Sequence, residues 1–393
     1  MDISGDEWEE VTEGDTTFSI YQDAERIYDA SVFYNPKMAI NRDLTILALS
    51  SIIEKEEKSI SFLDPFAGTG VRSYRILNEL PNASVAKIIA GDINQIAIEI
   101  INRNANQLKL HDKLEIKHSN AIDILDALPW QKDTIKIIDL DPFGSPIKYI
   151  EESLRSLKIN EGYLFVTATD LQVLCGKFPD SCYRIYNAMP TRHFLCHEVA
   201  LRILIYNLII SAGRLGLAII PIFSYNHEHF LRVKVKVKDS KELANQQHKE
   251  LGFVYFCKTC SYVETVKLSQ DIESSHCSFC KEKLEKAGPV WLGKLHDYSY
   301  IEYMLKNMKQ FTLQLEKKID RVLNQILNEI DSPPFFYYIP FVLRHCKKEG
   351  VTLNQIVESL LDEGYIVTRT IFDPQGLKTD APYNELIQVI KQF

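Results

Sequence analysis

The sequence predicts a doubly wound α/β sheet of seven strands, followed by a smaller α+β region. Between residues 59 and 237, short runs rich in Ile and Val alternate with segments whose apolar residues recur at helical spacing. Such continuous apolar runs indicate parallel strands that helices cover on both faces. The last two runs lie too close together for an intervening helix, so they predict an antiparallel hairpin. A dinucleotide-binding sheet of six parallel strands has no such hairpin.

The elements follow in order from these runs. The predicted strands cover residues 59–66, 87–93, 114–121, 135–143, 162–170, 216–225 and 229–237. Apolar residues at helical spacing predict helices at 70–80, 95–108, 196–216 and 300–330. Pro333 and Pro334 end the last of these helices. The remaining residues predict a small helical module with a two-stranded wing around residues 369–382.

Chain length and charge distribution limit the number of domains and the class of protein. A chain of 393 residues predicts two or three domains. Residues 1–15 are rich in acidic side chains and lack basic ones, so we expect a disordered tail there. We place one domain at 16–238 and a C-terminal domain at 239–393. Because the acidic N-terminus is unlike a signal peptide and no apolar run is long enough for a bilayer, we expect a cytoplasmic protein without a membrane partner.

The segment DPFAGTG (64–70) follows the first strand of the predicted sheet. Its glycines let the backbone turn tightly and approach a ligand closely. The segment lacks the third glycine of G-x-G-x-x-G and the Lys-Ser/Thr of a phosphate-binding loop. An acid before G-x-G at this place resembles the S-adenosylmethionine loop of class I methyltransferases.

Polar residues also end the next two strands. Asp92 closes the second strand, about 20 residues beyond the glycine loop. An acid at this position can accept both ribose hydroxyls, although Asp92 is also a candidate helix N-cap. Asn120 ends the third strand, where it can pair with adenine through its amide. A turn or cap role for Asn120 fits the sequence nearly as well.

The segment DLDPFGSP (139–146) ends the fourth strand with Asp141, Pro142 and Phe143. An aromatic amine attacks a methyl group poorly because its lone pair is delocalised into the ring. A carboxylate that accepts one N–H orients such an amine and directs its electron density toward the lone pair. Pro142 fixes the turn and Phe143 offers a face for a base to stack on. The alternative is a tight structural turn with caps.

Four of the eight cysteines form a C-x2-C-x16-C-x2-C pattern. Four thiolates in two such pairs suit tetrahedral coordination of a structural zinc ion. We therefore predict a zinc element at 257–280 with the ligands Cys257, Cys260, Cys277 and Cys280.

Together these motifs resemble the tRNA (guanine-26 N2)-dimethyltransferase family over nearly the whole chain. The resemblance also includes VFYNPKMAINRDL (32–44), the ATD-x-x-V-L-C-G block at 168–176 and IFDPQGLKTDAP (371–382). It implies a class I S-adenosylmethionine-dependent methyltransferase domain plus a C-terminal α+β, zinc-containing, winged-helix-like domain. It also implies transfer of one or two methyl groups to N2 of guanosine 26, with tRNA as the partner and no obligatory protein partner.

Matched residue by residue, the resemblance implies the following roles. Asp141 is the catalytic acid/base, and Phe33 and Phe143 sandwich the target guanine. The cofactor site is lined by Arg42, Arg72, Asp92, Asn120 and Ala121. The two arginines either bind the methionyl carboxylate or steady the loops. The family usually has Asp-Ala where this chain has Asn120-Ala121.

Two alternatives stay open at this stage. The first keeps the fold but transfers a methyl group to another exocyclic or amide nitrogen, and the Gly144 that follows a single Pro-Phe argues against it. The second is a non-catalytic zinc and winged-helix binder of nucleic acid, which the intact glycines, Asp92 and Asp141 disfavour.

Overall fold

The computed structural model describes residues 8–24, 29–56, 59–128, 135–157 and 162–393. The chain divides into two compact units that interleave along the sequence. The first unit consists of Met1–Thr167, Lys234–Asp239 and Ser299–Leu323. The second consists of Ala168–Val233, Ser240–Tyr298 and Asn324–Phe393. The sequence predicts contiguous domains instead, with one boundary at 238.

The strands are listed here in chain order. They are β1 (Trp8–Glu13), β2 (Thr16–Tyr21), β3 (Ile60–Asp64), β4 (Val85–Asp92), β5 (Leu114–His118), β6 (Ile137–Leu140), β7 (Gly162–Ala168), β8 (Leu217–His227), β9 (Phe230–Asp239), β10 (Leu251–Phe256), β11 (Val263–Lys267), β12 (Glu285–Trp291), β13 (Tyr337–Tyr338), β14 (Val367–Arg369) and β15 (Gly376–Thr379).

The α-helices are α1 (Ala39–Glu56), α2 (Val71–Glu79), α3 (Gln95–Gln107), α4 (Ala121–Ala127), α5 (Ile147–Leu157), α6 (Leu171–Leu174), α7 (Pro179–Tyr186), α8 (Cys196–Arg214), α9 (Lys241–His248), α10 (Tyr298–Asn307), α11 (Glu316–Glu329), α12 (Ile339–Cys346), α13 (Leu353–Asp362) and α14 (Tyr383–Gln392).

The seven-stranded sheet predicted from the apolar runs is confirmed. Its strand order is β5-β4-β3-β6-β7-β9-β8, and β3 pairs in parallel with both β4 and β6. The pairs β4–β5 and β6–β7 are also parallel. The order of the strands reverses at β3, because β4 lies on one side of it and β6 on the other. Ligands bind at such switch points, outside the carboxyl ends of the strands.

Residues 8–15 differ from the disordered tail that their acidic composition predicts. β1 and β2 form an antiparallel hairpin with Trp8 opposite Tyr21. The hairpin is held to α3 because Ser19 N–H donates to Asn104 Oδ1 at 2.7 Å and Asn104 Nδ2 donates to the Ser19 carbonyl at 2.8 Å. The predicted tail is therefore wrong from residue 8 onward, and residues 1–7 lie outside the described residues.

The single helix predicted at 300–330 is also wrong. The chain forms α10 and α11, separated by a short 3₁₀ turn and by residues 311–315. Tertiary contacts explain the break, since Gln314 N–H donates to the buried Asp43 at 2.9 Å instead of continuing a helix.

The second unit contains a cysteine-bearing sheet and the C-terminal helices. β10 pairs with β11 and β12, and the four-cysteine segment lies among these strands. Its buried cysteines share a core with apolar residues of α12, α13 and α14. β14 and β15 pair antiparallel at the position predicted for the wing.

Within the described residues, one helix, α8, is long and apolar enough to cross a membrane by length and composition. Most of it is buried inside the protein, and it carries the buried Glu198 and Arg202. Core helices commonly have this length and composition.

Candidate active site

The carboxyl ends of four adjacent parallel strands carry the polar residues that the sequence singles out. Asp64 ends β3, Asp92 ends β4, Asn120 follows β5 and Asp141 follows β6. Because the four strands are neighbours in one sheet, these residues lie along the same edge. This edge is where a doubly wound sheet binds its ligand.

The glycine loop between β3 and α2 has a backbone that other residues rarely adopt. Gly68 has φ of 54° and Gly70 has φ of 81°. A Cβ on Gly70 would lie 2.6 Å from Tyr74 Cζ, and the Tyr74 hydroxyl donates to the Thr69 carbonyl at 2.7 Å. The tyrosine thus fills the place that a side chain would need, and the loop stays close to the strand ends.

Asp92 joins the glycine loop to the end of β4. Its Oδ2 accepts from Gly68 N–H at 2.8 Å and its Oδ1 accepts from Asn94 N–H at 2.8 Å. Each carboxylate oxygen can accept two hydrogen bonds, so these contacts leave capacity for two ribose hydroxyls. The N-cap of α3 is Asn94 rather than Asp92, with Asn94 Oδ1 accepting from Ile96 N–H.

Asn120 caps α4 in this structure. Its Oδ1 accepts from Asp123 N–H at 3.0 Å, and its Nδ2 donates to the Asp123 carboxylate. Ala121, the first residue of α4, is buried. The cap role that the sequence left open is therefore present, and the adenine contact stays a prediction.

Arg72 lies among three carboxylates at the carboxyl ends of β3 and β6. Its Nη1 is 3.0 Å from Asp139 Oδ2 and 3.7 Å from Asp64 Oδ2, and its Nη2 donates to Asp141 Oδ2. Burial raises the pKa of Asp64 to about 7; the Arg72 charge opposes this shift, and Asp139 and Asp141 add to it. Burial of Arg72 acts to lower its pKa, but the three carboxylates outweigh this effect and raise it. The cluster therefore contains more acids than cations.

Arg42 is held by Glu13 of β1. Its Nε donates to Glu13 Oε2 at 2.7 Å, and its Nη2 donates to the Asn35 carbonyl at 3.1 Å. Burial acts to raise the pKa of Glu13, but Arg42 and Tyr34 hold it below its usual value. Of the two roles left open for this arginine, these contacts favour steadying the N-terminal loops.

The two predicted stacking residues meet at the mouth of the site. The rings of Phe33 and Phe143 are 5.1 Å apart between centroids and nearly perpendicular, at 80°. Phe143 is 77% exposed, which is unusual for so large an apolar side chain. This edge-to-face contact fills the space between the rings, so a planar ligand could enter between them only if one ring turned.

Four residues that belong to this site are not among the site residues predicted from the sequence. Asp64 and Asp139 face Arg72, and Glu13 pairs with Arg42. Ile93, directly after Asp92, is 72% exposed at the strand edge and offers an apolar face beside the predicted ribose contact. Of these four residues, Asp64, the acid before the glycine loop, and Asp139, the first residue of DLDPFGSP, lie in motifs recognised in the sequence.

The four predicted zinc ligands come together in the second unit. Cys257 Sγ lies 3.3 Å from Cys280 Sγ, and Cys260 Sγ lies 3.5 Å from Cys277 Sγ. All four sulfurs lie within 4.8 Å of one another, three of them on buried residues.

The two halves of this cluster repeat one backbone turn. Ser261 N–H donates to the Cys257 carbonyl and Lys281 N–H donates to the Cys277 carbonyl, each at 3.0 Å. Ser261 and Lys281 have φ of 66° and 67°. Matched turns that aim four sulfurs at one point fit a tetrahedral thiolate site.

Comparison with known proteins identifies relatives along the whole chain. Residues 14–391 match the N2,N2-dimethylguanosine tRNA methyltransferase family. The tRNA (guanine(26)-N(2))-dimethyltransferase of Pyrococcus horikoshii is 35% identical over 396 residues, covering 98% of both chains. That of Pyrococcus abyssi is 34% identical over 381 residues, covering 93% of this chain and 94% of the relative. The structure of Trm1 from P. horikoshii with S-adenosyl-L-methionine matches 97% of this chain and 99% of its own with a TM-score of 0.84 and 32% identity.

Proposed function

The chain belongs to the N2,N2-dimethylguanosine tRNA methyltransferase family, and we propose that it methylates the exocyclic N2 of guanosine 26 in tRNA. One or two methyl groups are transferred from S-adenosylmethionine, which gives N2-methylguanosine and N2,N2-dimethylguanosine. The full-length match to relatives with this activity carries the proposal. The carboxylate and aromatic residues at the strand edge supply the chemistry it needs.

The strand edge fits S-adenosylmethionine. Asp92 holds the glycine loop through one oxygen and retains acceptor capacity for the ribose hydroxyls. Ile93 offers an exposed apolar face for the adenine ring, and Asn120 and Ala121 follow the next strand. When bound, S-adenosylmethionine supplies an electrophilic methyl group on a positively charged sulfur. The excess of carboxylates around Arg72 suits a cationic ligand.

Asp141 acts on the guanine amine in this proposal. Its carboxylate accepts an N–H of N2, which orients the amine and directs electron density toward the nitrogen lone pair. Asp141 then takes the proton that N2 loses when the new N–C bond forms. Arg72 orients the carboxylate through the ion pair with its Oδ2. Pro142 restricts the backbone between the acid and Phe143.

The aromatic pair receives the base. Guanosine 26 must leave its stack to reach Asp141, at a cost of a few kcal/mol. Stacking on Phe33 and Phe143 offsets part of that cost, at about 1–3 kcal/mol per base. Because the rings contact each other edge to face, the exposed Phe143 turns aside to admit the base.

The four-cysteine cluster holds Zn²⁺ in a structural role. Four sulfur ligands close the coordination sphere and leave no position for a substrate. The cluster shares its apolar core with α12, α13 and α14, so the ion stabilises this part of the second unit. Residues 239–393 hold the tRNA body in this proposal, through shape and phosphate contacts rather than by reading bases.

The test is methylation of transcripts of one tRNA that carry either G or A at position 26. The proposal predicts N2-methylguanosine and N2,N2-dimethylguanosine in digests of the G26 transcript only. Methylation of both transcripts, or a methyl group on adenine N6, would support another acceptor. An absence of product with every G26 tRNA would support a binding protein without catalysis.

A further inference from the structure

A second group of metal-type ligands lies in the second unit, apart from the four-cysteine cluster in sequence. Cys175 directly follows α6, and Cys196 and His197 are the first two residues of α8. The two Sγ atoms and a ring nitrogen of His197 all lie within 4.8 Å of one another. All three residues are half-buried, and the proposed methylation reaction does not use them.

One pair of these donor atoms has the separation expected of two ligands in a tetrahedral metal site. Cys175 Sγ lies 3.7 Å from His197 Nδ1. Zinc–sulfur bonds of about 2.3 Å and zinc–nitrogen bonds of about 2.1 Å place two tetrahedral ligands about 3.6 Å apart. The sulfur pairs of the four-cysteine cluster are separated by 3.3 and 3.5 Å. The second group is therefore about as compact as the first.

The local backbone fixes these donors before any ion binds. Cys175 N–H donates to the Leu171 carbonyl at 2.7 Å, and Cys196 N–H donates to the His193 carbonyl at 2.9 Å. Gly176 has φ of 79°, and a Cβ there would come within 2.9 Å of the Thr191 carbonyl carbon. The turn after α6 and the start of α8 are thus tightly constrained near the sulfurs.

Two further interactions, one of Cys175 and one of His197, are relevant to the kind of ligand that the group binds. Cys175 Sγ is 3.9 Å from the Cys196 carbonyl, a weak S–H···O contact that a thiolate would give up. The Asp373 carboxylate also acts electrostatically on the His197 imidazole. Histidines that ligate metals commonly have a carboxylate partner.

We propose that Cys175, Cys196 and His197 form a second Zn²⁺ site, with water as the fourth ligand. Two sulfurs and one imidazole nitrogen are donors that zinc prefers, and three protein ligands leave one open position. A disulfide would involve the two sulfurs alone and would not require the imidazole beside Cys175. The ion joins the end of α6 to the start of α8.

The first experiment measures zinc in the full chain after dialysis, using elemental mass spectrometry. The wild-type protein should hold about two ions per chain, one in each cysteine site. Cys175→Ser and Cys196→Ser should each lose about one. The matched control is Cys346→Ser, a half-buried cysteine of the same unit, which should lose none. Equal zinc content in the wild type and both folded site variants would overturn the proposal.

A second measurement needs no variant and separates the two sites. Peptide mass spectrometry follows alkylation of each cysteine in the wild-type chain, with and without a zinc chelator. Cys175 and Cys196 should be protected until the chelator is added. Alkylation at equal rates in both conditions would contradict the site, as would a Cys175–Cys196 disulfide that opens only with a reductant. Protection of Cys257 or Cys277 reports on the other cluster alone.

Discussion

Arg72, on the helix that follows the glycine loop, forms an ion pair with Asp141, on the turn that follows β6. In the proposed function, this one side chain connects the loop at the cofactor site with the carboxylate that accepts the N–H of guanine. Arg72 also lies 3.0 Å from Asp139, so it reaches two acids on the same strand end. If Asp141 acts on the guanine amine as we propose, a change in the conformation of the glycine loop should alter the rate of methyl transfer.

The carboxylate of Asp141 can be tested by an isosteric change. Asp141→Asn keeps the shape but removes the negative charge that accepts the N2 proton. We expect single-turnover methylation of G26 tRNA to fall about 10²- to 10⁴-fold, with tRNA affinity little changed. Asp126→Asn, at an exposed acid of α4, serves as the matched control and should keep the wild-type rate. A wild-type rate in Asp141→Asn would remove the residue from catalysis.

Arg72 is predicted to matter for stability as well as for rate. Arg72→Met leaves Asp64, Asp139 and Asp141 without the guanidinium they share. Removing one partner from buried ion pairs costs about 3–5 kcal/mol, which denaturant unfolding would detect. Arg72→Lys keeps the charge but loses the planar fork, so we expect better stability than in Arg72→Met with a rate still below wild type. Equal rates for wild type and Arg72→Lys would show that charge alone suffices.

Phe143 is predicted to contribute to substrate binding and not to the stability of the fold. Because its ring is 77% exposed, Phe143→Ala should leave the melting temperature nearly unchanged. Loss of base stacking at about 1–3 kcal/mol should lower kcat/KM for tRNA about 5- to 150-fold. Phe178→Ala, at another exposed phenylalanine, is the control. A large loss of stability in Phe143→Ala, or unchanged kcat/KM, would contradict this role.

The stability of the protein should depend on pH through Asp64. Burial raises the pKa of Asp64 to about 7, against about 3.9 in an unfolded chain. Between these values the folded protein binds a proton that the unfolded chain has lost, so the free energy of unfolding falls as pH rises from about 4 to about 7. Asp64→Asn cannot ionise and should lose less stability over this range. Identical pH profiles of melting temperature for the two proteins would refute this prediction.

Local patterns predicted much of this molecule. Continuous apolar runs predicted the seven strands, and the cysteine spacing predicted which four cysteines come together. Residues 311–315 were missed because a bond to Asp43 overrides their helical pattern. Glu13 was missed because its acidic neighbours suggest a tail, whereas its partner Arg42 lies 29 residues away. Such pairings depend on tertiary packing, which no short window of sequence contains.

The most direct test of the central claim compares one tRNA carrying guanosine or inosine at position 26. Inosine keeps the ring nitrogens and O6 of guanine but lacks the exocyclic N2 amine. With labelled S-adenosylmethionine, the guanosine tRNA should become methylated and the inosine tRNA should not, while both compete equally for binding. Methylation of the inosine tRNA at position 26 would show that N2 is not the acceptor and that Asp141 does not act on that amine.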